Sequence, residues 1–427
     1  MRVLMFGWEF PPHISGGLGT ACYGMCKGLL AQNVEVIFVA PTLHGDEDKG
    51  VAHLVNASDV EVDLRHPLYK EIFKNLTYIQ AGANLIPYVG TDQYFSLEKA
   101  LKRASHFDSE IYSKRKYSFS GAYRANLMDE VNNLAMVAVK VATGYDFDVI
   151  HAHDWLTYRA GIAAKKASGK PLVIHVHATE YDRTGENVNT IVYGIEREGM
   201  LAADRIITVS NYTREIVVKR YGIDPAKVTT VYNAVEPGPD KEPMDETARG
   251  RRKIVTFLGR VTYQKGPEYF VEAARLVMEK DKDVRFVMAG SGDMLHTIVR
   301  RVAALGMGRR FNFTGFLRGA DVDRMYGMSS VYVMPSVSEP FGISPLEAMR
   351  SNVPVVISKQ SGVSEILNHA LKVDFWDVDA MADAIYGLLH YPALSRTFAR
   401  MGAADAQQLK WSSAAEKIKQ VYKEAIS

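Results

Sequence analysis

The stretch VYVMPSVSEPFGISPLEAMRSNVPVVIS, residues 331–358, contains two short apolar runs separated by a loop and a helical segment. The runs VYVMPS and PVVIS have the length and the β-branched content typical of buried strands. Between them, Ser344 and Pro345 are residues that favour the first turn of a helix. The stretch therefore predicts a strand–loop–helix–strand unit, the repeating element of a parallel α/β sheet.

The same alternation of apolar strands and amphipathic helices runs through most of the chain. Further strands are predicted at RVLMF, VEVIFVA, DVIHA, LVIHVH, RIITVS and KVTTVY in the first half, and at IVTFLG, VRFVMAG and FNFTG in the second. Such alternation favours parallel sheets covered by helices. The sequence thus predicts two Rossmann-like α/β domains, with ligands bound at the carboxyl ends of the strands in a cleft between the domains.

The strongest linker pattern is NAVEPGPDKEPMDETARGRRK, residues 233–253, which is rich in proline, glycine and charge. It divides the chain into domains of residues 1–245 and 246–410. Residues 411–427 are predicted as an amphipathic helix that crosses back to the N-terminal domain. Residues 42–145 fit the α/β rhythm less well and are interpreted as an elaboration of the substrate cleft.

Composition limits the classes of partner. The 427 residues are 47% hydrophobic, which is enough for two domain cores. Lys plus Arg total 51 and Asp plus Glu total 49, so no strong field predicts a nucleic-acid partner. Cys22 and Cys26 lie one helical turn apart, which excludes a disulfide framework and predicts two buried thiols.

The lengths of the apolar runs indicate whether the chain could cross a membrane. None approaches the ~18–20 residues that span a bilayer, so we expect no transmembrane segment and a cytoplasmic protein. The basic, aromatic run at residues 102–124 leaves peripheral membrane contact open as an alternative.

A glycine-rich loop follows the first strand, in PPHISGGLGTACYG. Gly16, Gly17 and Gly19 allow the backbone to approach a ligand, and the helix start offers N–H groups to an anion. The spacing is neither that of dinucleotide folds nor that of a P-loop. A phosphate site and an ordinary turn both remain open.

The loop and helix start of the opening stretch form a second candidate anion site. Backbone N–H groups of Gly342, Ile343 and Ser344 are expected to point into the cleft. Glu339 and Glu347 are candidates to accept hydrogen bonds from sugar or ribose hydroxyls. The alternatives are a solvated loop acid for Glu339 and simple complementarity to the helix dipole for Glu347.

Two cations follow another predicted strand, in FLGRVTYQKG. Arg260 and Lys265 lie in the loop after Leu258, a position suited to neutralising a diphosphate leaving group. Solvated surface charges are the alternative.

Histidines follow two successive strands in the pattern His-x-His. Alternation places His151 and His153 on one face of their strand, and His175 and His177 on one face of the next. Four imidazoles could hold a metal, although no Asp or Cys set completes such a site. The alternative is that a histidine at the strand end faces the cleft. The Asp-x-Asp pattern at 146–148 is interpreted as a turn.

Taken together, these motifs resemble the retaining glycosyltransferases of the GT-B fold, in the family 4 group with its glycogen and starch synthase relatives. The spacing from Glu339 to Glu347 is similar to the family's E-x7-E motif, within its EPFG…EAM frame. GRVTYQKG resembles the family's diphosphate segment, and VYNAVE resembles its VYNGVD hinge. The resemblance covers nearly the whole chain and is strongest in the second half.

The resemblance implies a role for each matching residue. The donor nucleotide sugar would be bound by Gly16, Gly17, Arg260, Lys265, Phe316, Leu317, Gly342, Ile343, Ser344 and Glu347. His177 and Glu339 would contact the transferred sugar, and Asp154 would lie near the acceptor. The partners would be a nucleotide-sugar donor and a glycan or lipid-linked acceptor, with no metal or other cofactor.

One departure concerns the substrate. Bacterial glycogen synthases usually carry Lys before their Gly-Gly-Leu, whereas Ser15 precedes Gly16 here. Sugar transfer to a glycan or lipid-linked acceptor is therefore the leading hypothesis. Synthesis of α-1,4-glucan from ADP- or UDP-glucose is the alternative, and a metal-dependent hydrolase that uses the histidines is a weaker one.

Overall fold

The structure is a computed structural model that describes residues 1–13, 16–64, 66–74, 114–121, 126–235 and 253–427. These residues form two compact units. The first comprises Met1–Tyr232 and Trp411–Ser427, and the second comprises Asn233–Lys410. The C-terminal helix belongs to the first unit, as the fold prediction requires. The predicted boundary near residue 245 lies outside the described residues, as does most of the basic run at 102–124.

The first unit is built on a seven-stranded parallel sheet. The strands of this unit are β1 (Arg2–Phe6), β2 (Glu35–Ala40), β3 (His53–Asn56), β4 (Val62–Asp63), β5 (Lys114–Arg115), β6 (Val149–His153), β7 (Leu172–Val176), β8 (Arg205–Thr208) and β9 (Val228–Thr230). The order in the sheet is β3-β2-β1-β6-β7-β8-β9, and β4 pairs with β5 in a separate antiparallel ribbon.

Most of the helices that cover this sheet bury apolar side chains. The helices are α1 (Gly17–Ala31), α2 (Pro67–Lys74), α3 (Leu127–Gly144), α4 (Trp155–Ser168), α5 (Glu180–Thr184), α6 (Thr190–Ala202) and α7 (Asn211–Tyr221). The segment assigned to an elaboration, 42–145, contributes more than that: β3 extends the main sheet, and most of α3 is buried. β3 escaped prediction because it is a four-residue edge strand whose side chains are mostly only partly buried.

The second unit contains a six-stranded parallel sheet of order β12-β11-β10-β13-β14-β15. Its strands are β10 (Ile254–Leu258), β11 (Arg285–Ala289), β12 (Phe311–Gly315), β13 (Val331–Met334), β14 (Val355–Ser358) and β15 (Leu371–Val373). Its helices are α8 (Pro267–Lys280), α9 (Leu295–Ala304), α10 (Ala320–Met328), α11 (Ser344–Arg350), α12 (Val378–His390) and α13 (Pro392–Gln408).

The C-terminal helix α14 (Trp411–Ile426) packs against α1 in the first unit. A Cβ atom added to Gly24 would lie 2.2 Å from Nε1 of Trp411, and one added to Gly28 would lie 2.5 Å from the Trp411 carbonyl oxygen. Glycine is therefore needed where the two helices approach. Cys22 and Cys26 are free and buried on the same helix, as predicted.

Every strand predicted from an apolar run is present. In each sheet the order of strands reverses next to the first strand of the unit, so the loops after β1 and β6, and those after β10 and β13, flank a topological switch point. Ligands of open α/β sheets bind at such points, beyond the carboxyl ends of the strands. No helix in the described part of the chain is both long and apolar enough to cross a membrane.

Candidate functional site

The glycine-rich loop leads into α1 with open space beside its backbone. Gly16 is extended, with φ −166° and ψ −169°, and the helix begins at Gly17 without a side-chain cap. Both glycines are exposed. A Cβ atom added to Gly16 would have no described atom within 4 Å. The described packing therefore does not require glycine at position 16, whereas close approach of a ligand would.

Asp154 joins the ends of two neighbouring strands. It follows β6 directly, and its φ of 58° is unusual for a residue other than glycine. Its Oδ1 accepts hydrogen bonds from the backbone N–H groups of His177, at 2.7 Å, and Ala178, at 3.3 Å. Burial raises the pKa of Asp154 to about 6, although Arg183 and both N–H groups favour its ionised form. This carboxylate is thus a buried support for the backbone at His177.

His177 itself lies half-buried at the end of β7. Its Nε2 lies 2.9 Å from Nδ1 of His153. Burial lowers the pKa of His177 to about 3, so the ring is neutral near pH 7. A neutral imidazole donates at one ring nitrogen and accepts at the other. With Nε2 bound to His153, Nδ1 is the ring atom that a sugar hydroxyl could contact.

The four histidines form one contiguous stack. Ring centroids of His151 and His153 lie 4.2 Å apart, and those of His175 and His177 lie 4.3 Å apart, as the predicted strand alternation requires. The Oη atom of Tyr422, on α14, lies 2.6 Å from Nδ1 of His151. Burial lowers the pKa of every ring in the stack, so all four are neutral near pH 7.

Three of these rings could supply metal ligands. Ring nitrogens of His151, His153 and His175 lie within 4.8 Å of one another in a fully buried position. The group contains no carboxylate or thiolate, so a bound dication would be an uncompensated buried charge, which is costly. A second group, formed by His13, Asp46 and Glu47, lies partly at the surface, where His13 Nε2 is 2.8 Å from Asp46 Oδ1.

In the second unit, two predicted residues meet at the switch point. Lys265 follows β10, Glu339 follows the neighbouring strand β13, and Lys265 Nζ forms an ion pair with Glu339 Oε2. Their side chains are only 20% and 8% exposed. Ser336 Oγ donates a further hydrogen bond of 3.2 Å to the same carboxylate. Glu339 is therefore a paired, buried acid and not a solvated loop residue.

The loop that carries Glu339 is held by its backbone. The N–H of Glu339 donates to the Gln360 carbonyl at 2.9 Å, and its own carbonyl accepts from Gly362 at 2.9 Å. The Gln264 carbonyl, next to Lys265, accepts the N–H of Val337 at 2.9 Å. These bonds fix the loop of Glu339 to the loop of Lys265 and to the loop that carries Gln360.

Arg260 lies half-buried in the loop after β10. Its charge favours the ionised form of Asp293, whose pKa is nevertheless raised by burial. The same loop packs tightly on a second one: a Cβ atom added to Gly290, where φ is +143°, would lie 1.8 Å from the Gly259 oxygen. Sequence reasoning overlooked this glycine, although AGSG after the strand VRFVM was a visible signal.

Glu347 lies in the first turn of α11, partly buried. Burial raises its pKa, while the Arg350 charge acts in the opposite direction. The Oη atom of Tyr326 lies 3.3 Å from Glu347 Oε2 and 3.1 Å from the Ser344 carbonyl oxygen. Sequence reasoning missed Tyr326 because an aromatic residue at a buried helical position looks like core.

The turn before α11 requires glycine. Gly342 is buried and has φ +103°, and a Cβ atom there would lie 3.1 Å from the Met334 side chain. Ile343 follows in a helical conformation, and the helix begins at Ser344, as the sequence predicts. Tyr332 Oη donates to Ser344 Oγ at 2.8 Å.

Phe316 and Leu317 lie apart from these groups in the sheet. They follow β12, an edge strand two positions from β10. Phe316 is 46% exposed, and the Arg318 guanidinium lies 5.2 Å above its ring. The structure thus places Phe316 and Leu317, two of the predicted donor-binding residues, at a different strand end from Lys265 and Glu339.

Comparison with known proteins gives matches along most of the chain. The family model described as Glycosyltransferase Family 4 matches residues 112–238, and the model described as Glycosyl transferases group 1 matches residues 240–405. The alpha-maltose-1-phosphate synthase of Mycolicibacterium smegmatis is 31% identical over 309 residues, covering 64% of this chain and 78% of that protein.

Two further matches span nearly the full length. The glycogen synthase of Mycobacterium tuberculosis is 24% identical over 432 residues, covering 99% of this chain and 94% of that protein. Among solved structures, the sucrose-phosphate synthase of Thermosynechococcus elongatus matches with a TM-score of 0.71 at 18% identity, covering 99% of this chain and 98% of that one. The chain is thus similar to all three, and the last likeness concerns the fold.

Proposed function

Because the chain belongs to the family 4 glycosyltransferases of the GT-B fold, we propose that it transfers a hexosyl group from a nucleotide-diphosphate sugar to a glycan or lipid-linked acceptor with retention of configuration. The observation that carries this proposal is the cluster of Lys265 and Glu339 at the switch point of the second unit, with Arg260 on the same loop as Lys265. Ligands of such sheets bind at that edge.

Charge development explains why cations are needed there. As the bond to the sugar breaks, negative charge grows on the departing diphosphate and positive character grows on the sugar ring. Arg260 and Lys265 would stabilise the first of these charges in the transition state. A single preorganised donor at such a position is typically worth about 10²–10³-fold in rate. Two side-chain cations would supply this stabilisation without a metal ion.

Glu339 would serve the transferred sugar. Lys265 and Ser336 already hold its carboxylate in one orientation. The carboxylate oxygens can therefore accept a further hydrogen bond, from a sugar hydroxyl, in a fixed direction. A charge-assisted hydrogen bond to a sugar hydroxyl is stronger than a neutral one. Glu347 would bind the ribose hydroxyls in the same manner, with Tyr326 holding its side chain.

The first unit would contribute His177 and the glycine-rich loop. A neutral ring on His177 can accept or donate a hydrogen bond to the sugar without placing a positive charge beside the developing cation. Gly16 and Gly17 would let the backbone lie against the diphosphate or the sugar. Asp154 would act through the backbone of His177, since its Oδ1 accepts the His177 N–H at 2.7 Å.

A second candidate activity is synthesis of α-1,4-glucan. The similarity to a glycogen synthase over 99% of this chain favours it. The motifs GWEFPP…GGL and HAHDW also resemble the synthases. Ser15, at the position where bacterial glycogen synthases usually carry Lys, favours a different acceptor or donor.

The test is release of nucleotide from a panel of UDP-, ADP- and GDP-sugars, with and without glycogen, repeated on Glu347→Ala. We expect release from one donor that is not stimulated by glycogen and is strongly reduced in the variant. If glycogen stimulates nucleotide release from a glucose donor, synthesis of α-1,4-glucan becomes the leading hypothesis. Absence of release from every donor, for a folded protein, would contradict the proposed activity.

A further inference from the structure

The short segment after β7, residues 177–180, is hydrogen-bonded along its backbone to charged side chains. Asp154 accepts the N–H groups of His177 and Ala178. Asp182 accepts the N–H of Thr179 at 2.7 Å. Thr179 and Asp182 form a capping box at the start of α5, so the segment joins the end of β7 to a capped helix.

The remaining groups of this segment contact a second pair of charges. Glu196 Oε2 accepts the N–H of Glu180 at 3.0 Å. Arg183 Nη2 donates to the Ala178 carbonyl at 3.3 Å. The segment that carries His177 is therefore held from several sides by ionisable side chains of β6–α4, α5 and α6.

These side chains form a buried network of their own. Arg183 Nη1 lies 2.8 Å from Glu196 and 3.2 Å from Glu180, and these three side chains are 4%, 1% and 4% exposed. Tyr221, on α7, donates a hydrogen bond to Glu196 Oε2. The network thus connects α5, α6 and α7 with the segment.

Stability alone gives a weak reason for such a network. Taking charges out of water is costly, and replacing a buried ion pair by well-packed apolar residues is often neutral or stabilising. What the network does provide is a single backbone conformation for residues 177–180, because each of its bonds has a fixed geometry. The residue that gains from this is His177, the first residue of the segment, whose backbone N–H is bound by the Asp154 carboxylate.

We propose that Arg183 and Glu196 are positioning residues for sugar transfer, which hold the backbone of residues 177–180 so that His177 meets the transferred sugar in one geometry. This inference rests on the proposed function, since it assumes the role given there to His177. A displacement of about 1 Å at a reacting group can cost about 10²-fold in rate. Neither residue reaches the substrate in this account; both act through the segment.

The ionisation of the network offers an independent readout. Burial raises the pKa of Glu196 to about 7, with Arg183 and Tyr221 acting in the opposite direction and Glu180 in the same one. Asp154 is a further carboxylate near Arg183. Burial raises the pKa of Tyr158, on α4, and the charges of Asp154 and Glu196 act in the same direction. Uptake of a proton by this group of side chains near neutral pH would loosen the hold on the segment as the pH falls.

The experiment compares Glu196→Gln and Arg183→Met with wild type, using the full chain. We expect kcat to fall by about 10²-fold in Arg183→Met and by about 10-fold in Glu196→Gln, with donor KM within twofold. The acidic limb of the pH profile of kcat should shift in Glu196→Gln. A role in folding alone would lower the melting temperature and leave both kcat and the pH profile unchanged.

A matched control lies at the other end of the same strand. Asp204 accepts the N–H of Leu172, at the start of β7, at 2.7 Å, and it pairs with Lys165 at 2.7 Å. Asp204→Asn should lower the melting temperature and leave kcat unchanged. An equal loss of kcat in Asp204→Asn and Glu196→Gln would overturn the inference, because any weakening of β7 would then suffice.

Failure of this inference can be told apart from failure of the proposed function. If His177→Ala keeps wild-type kcat, the role proposed for His177 is wrong. If His177→Ala is inactive and Glu196→Gln is normal in kcat and pH profile, only the positioning role is wrong. Should either network variant fail to fold, Tyr221→Phe, which removes a single hydroxyl, decides: a lowered kcat supports the inference and an unchanged kcat overturns it.

Discussion

Lys265 forms an ion pair with Glu339, 74 residues further along the chain, and so joins the loops that follow β10 and β13. Both side chains are largely withdrawn from solvent. Removing one partner of a buried pair leaves a charge that is costly to keep. Two residues that sequence reasoning selected for separate reasons are thus one structural element, and variants of either should be interpreted as a pair.

Lys265→Met should lower kcat/KM by at least about 10²-fold, because a cation that would neutralise the leaving diphosphate is lost. It should also lower the free energy of unfolding, by about 3–5 kcal/mol if the pair behaves as fully buried. Nucleotide release measures the first effect, and urea denaturation measures the second.

Lys253→Met is the matched control for that variant. Lys253 lies at the opposite end of β10 and pairs with the buried Asp281 at 2.7 Å. The substitution should therefore also destabilise the second unit, with kcat/KM per folded molecule unchanged. A comparable loss of kcat/KM in both variants would contradict the role proposed for Lys265.

Tyr326→Phe should raise the donor KM several-fold with a smaller effect on kcat. The tyrosine hydroxyl that lies 3.3 Å from Glu347 is lost, and the carboxylate becomes free to leave the position in which we propose that it binds the ribose. Loss of one such hydrogen bond typically costs about 1 kcal/mol, or about fivefold in affinity. Steady-state kinetics with varied donor concentration measure this effect. An unchanged donor KM would contradict the proposed hydrogen bonds from Glu347 to the ribose hydroxyls.

Donor affinity should also depend on pH through Glu347. Burial raises the pKa of this carboxyl, so it takes up a proton at a higher pH than an ordinary glutamic acid. Donor KM should therefore rise as the pH falls towards that raised pKa and stay constant above it. In Glu347→Gln, the KM should be high at every pH, and a wild-type pH dependence in this variant would assign the effect elsewhere.

The histidine stack predicts lability in acid. The rings of His151, His153, His175 and His177 are neutral in the folded chain because burial lowers each pKa. In the unfolded chain they take up protons below about pH 6.5. Their contribution to stability is thus present above that pH and is lost as the pH falls, on the order of 1.4 kcal/mol per pH unit for each proton.

Melting temperature against pH measures this effect. His175→Phe replaces a fully buried ring by an apolar one and should flatten the decline between about pH 6.5 and 4. His296→Gln, at an exposed position, should leave the slope as in wild type. Glu196 and Asp154 act oppositely: their raised pKa values, about 7 and about 6, contribute stability that is lost as the pH rises through them.

Chelation should leave activity unchanged. Arg260 and Lys265 are proposed to supply the positive charge at the diphosphate, and the three buried histidine nitrogens are not part of that chemistry. Nucleotide release before and after dialysis against EDTA, with metal content measured in parallel, checks this. Loss of activity that returns with added Mg²⁺, Mn²⁺ or Zn²⁺ would contradict the proposed role of the two cations.

Sequence patterns were sufficient for much of this molecule because strand and helix periodicities are local. The placement of His151 and His153 on one face of their strand, and the turn at Gly342 before Ser344, follow from local backbone geometry. Parallel sheets, in turn, gather the residues that follow each strand at one edge. For this reason Arg260, Lys265 and Glu339 could be selected as site candidates before any contact was known.

Tertiary structure decided the rest, since it depends on which residues become neighbours. Nothing local indicated that Lys265 would pair with Glu339, that Tyr326 would reach Glu347, or that Arg183 would lie between two buried glutamates. Ionisation states belong to the same category, because a pKa is set by burial and by charges brought from distant positions. The sequence by itself determined where each strand ends and which side chains follow it. The tertiary structure decided which of those side chains lie close enough to act together.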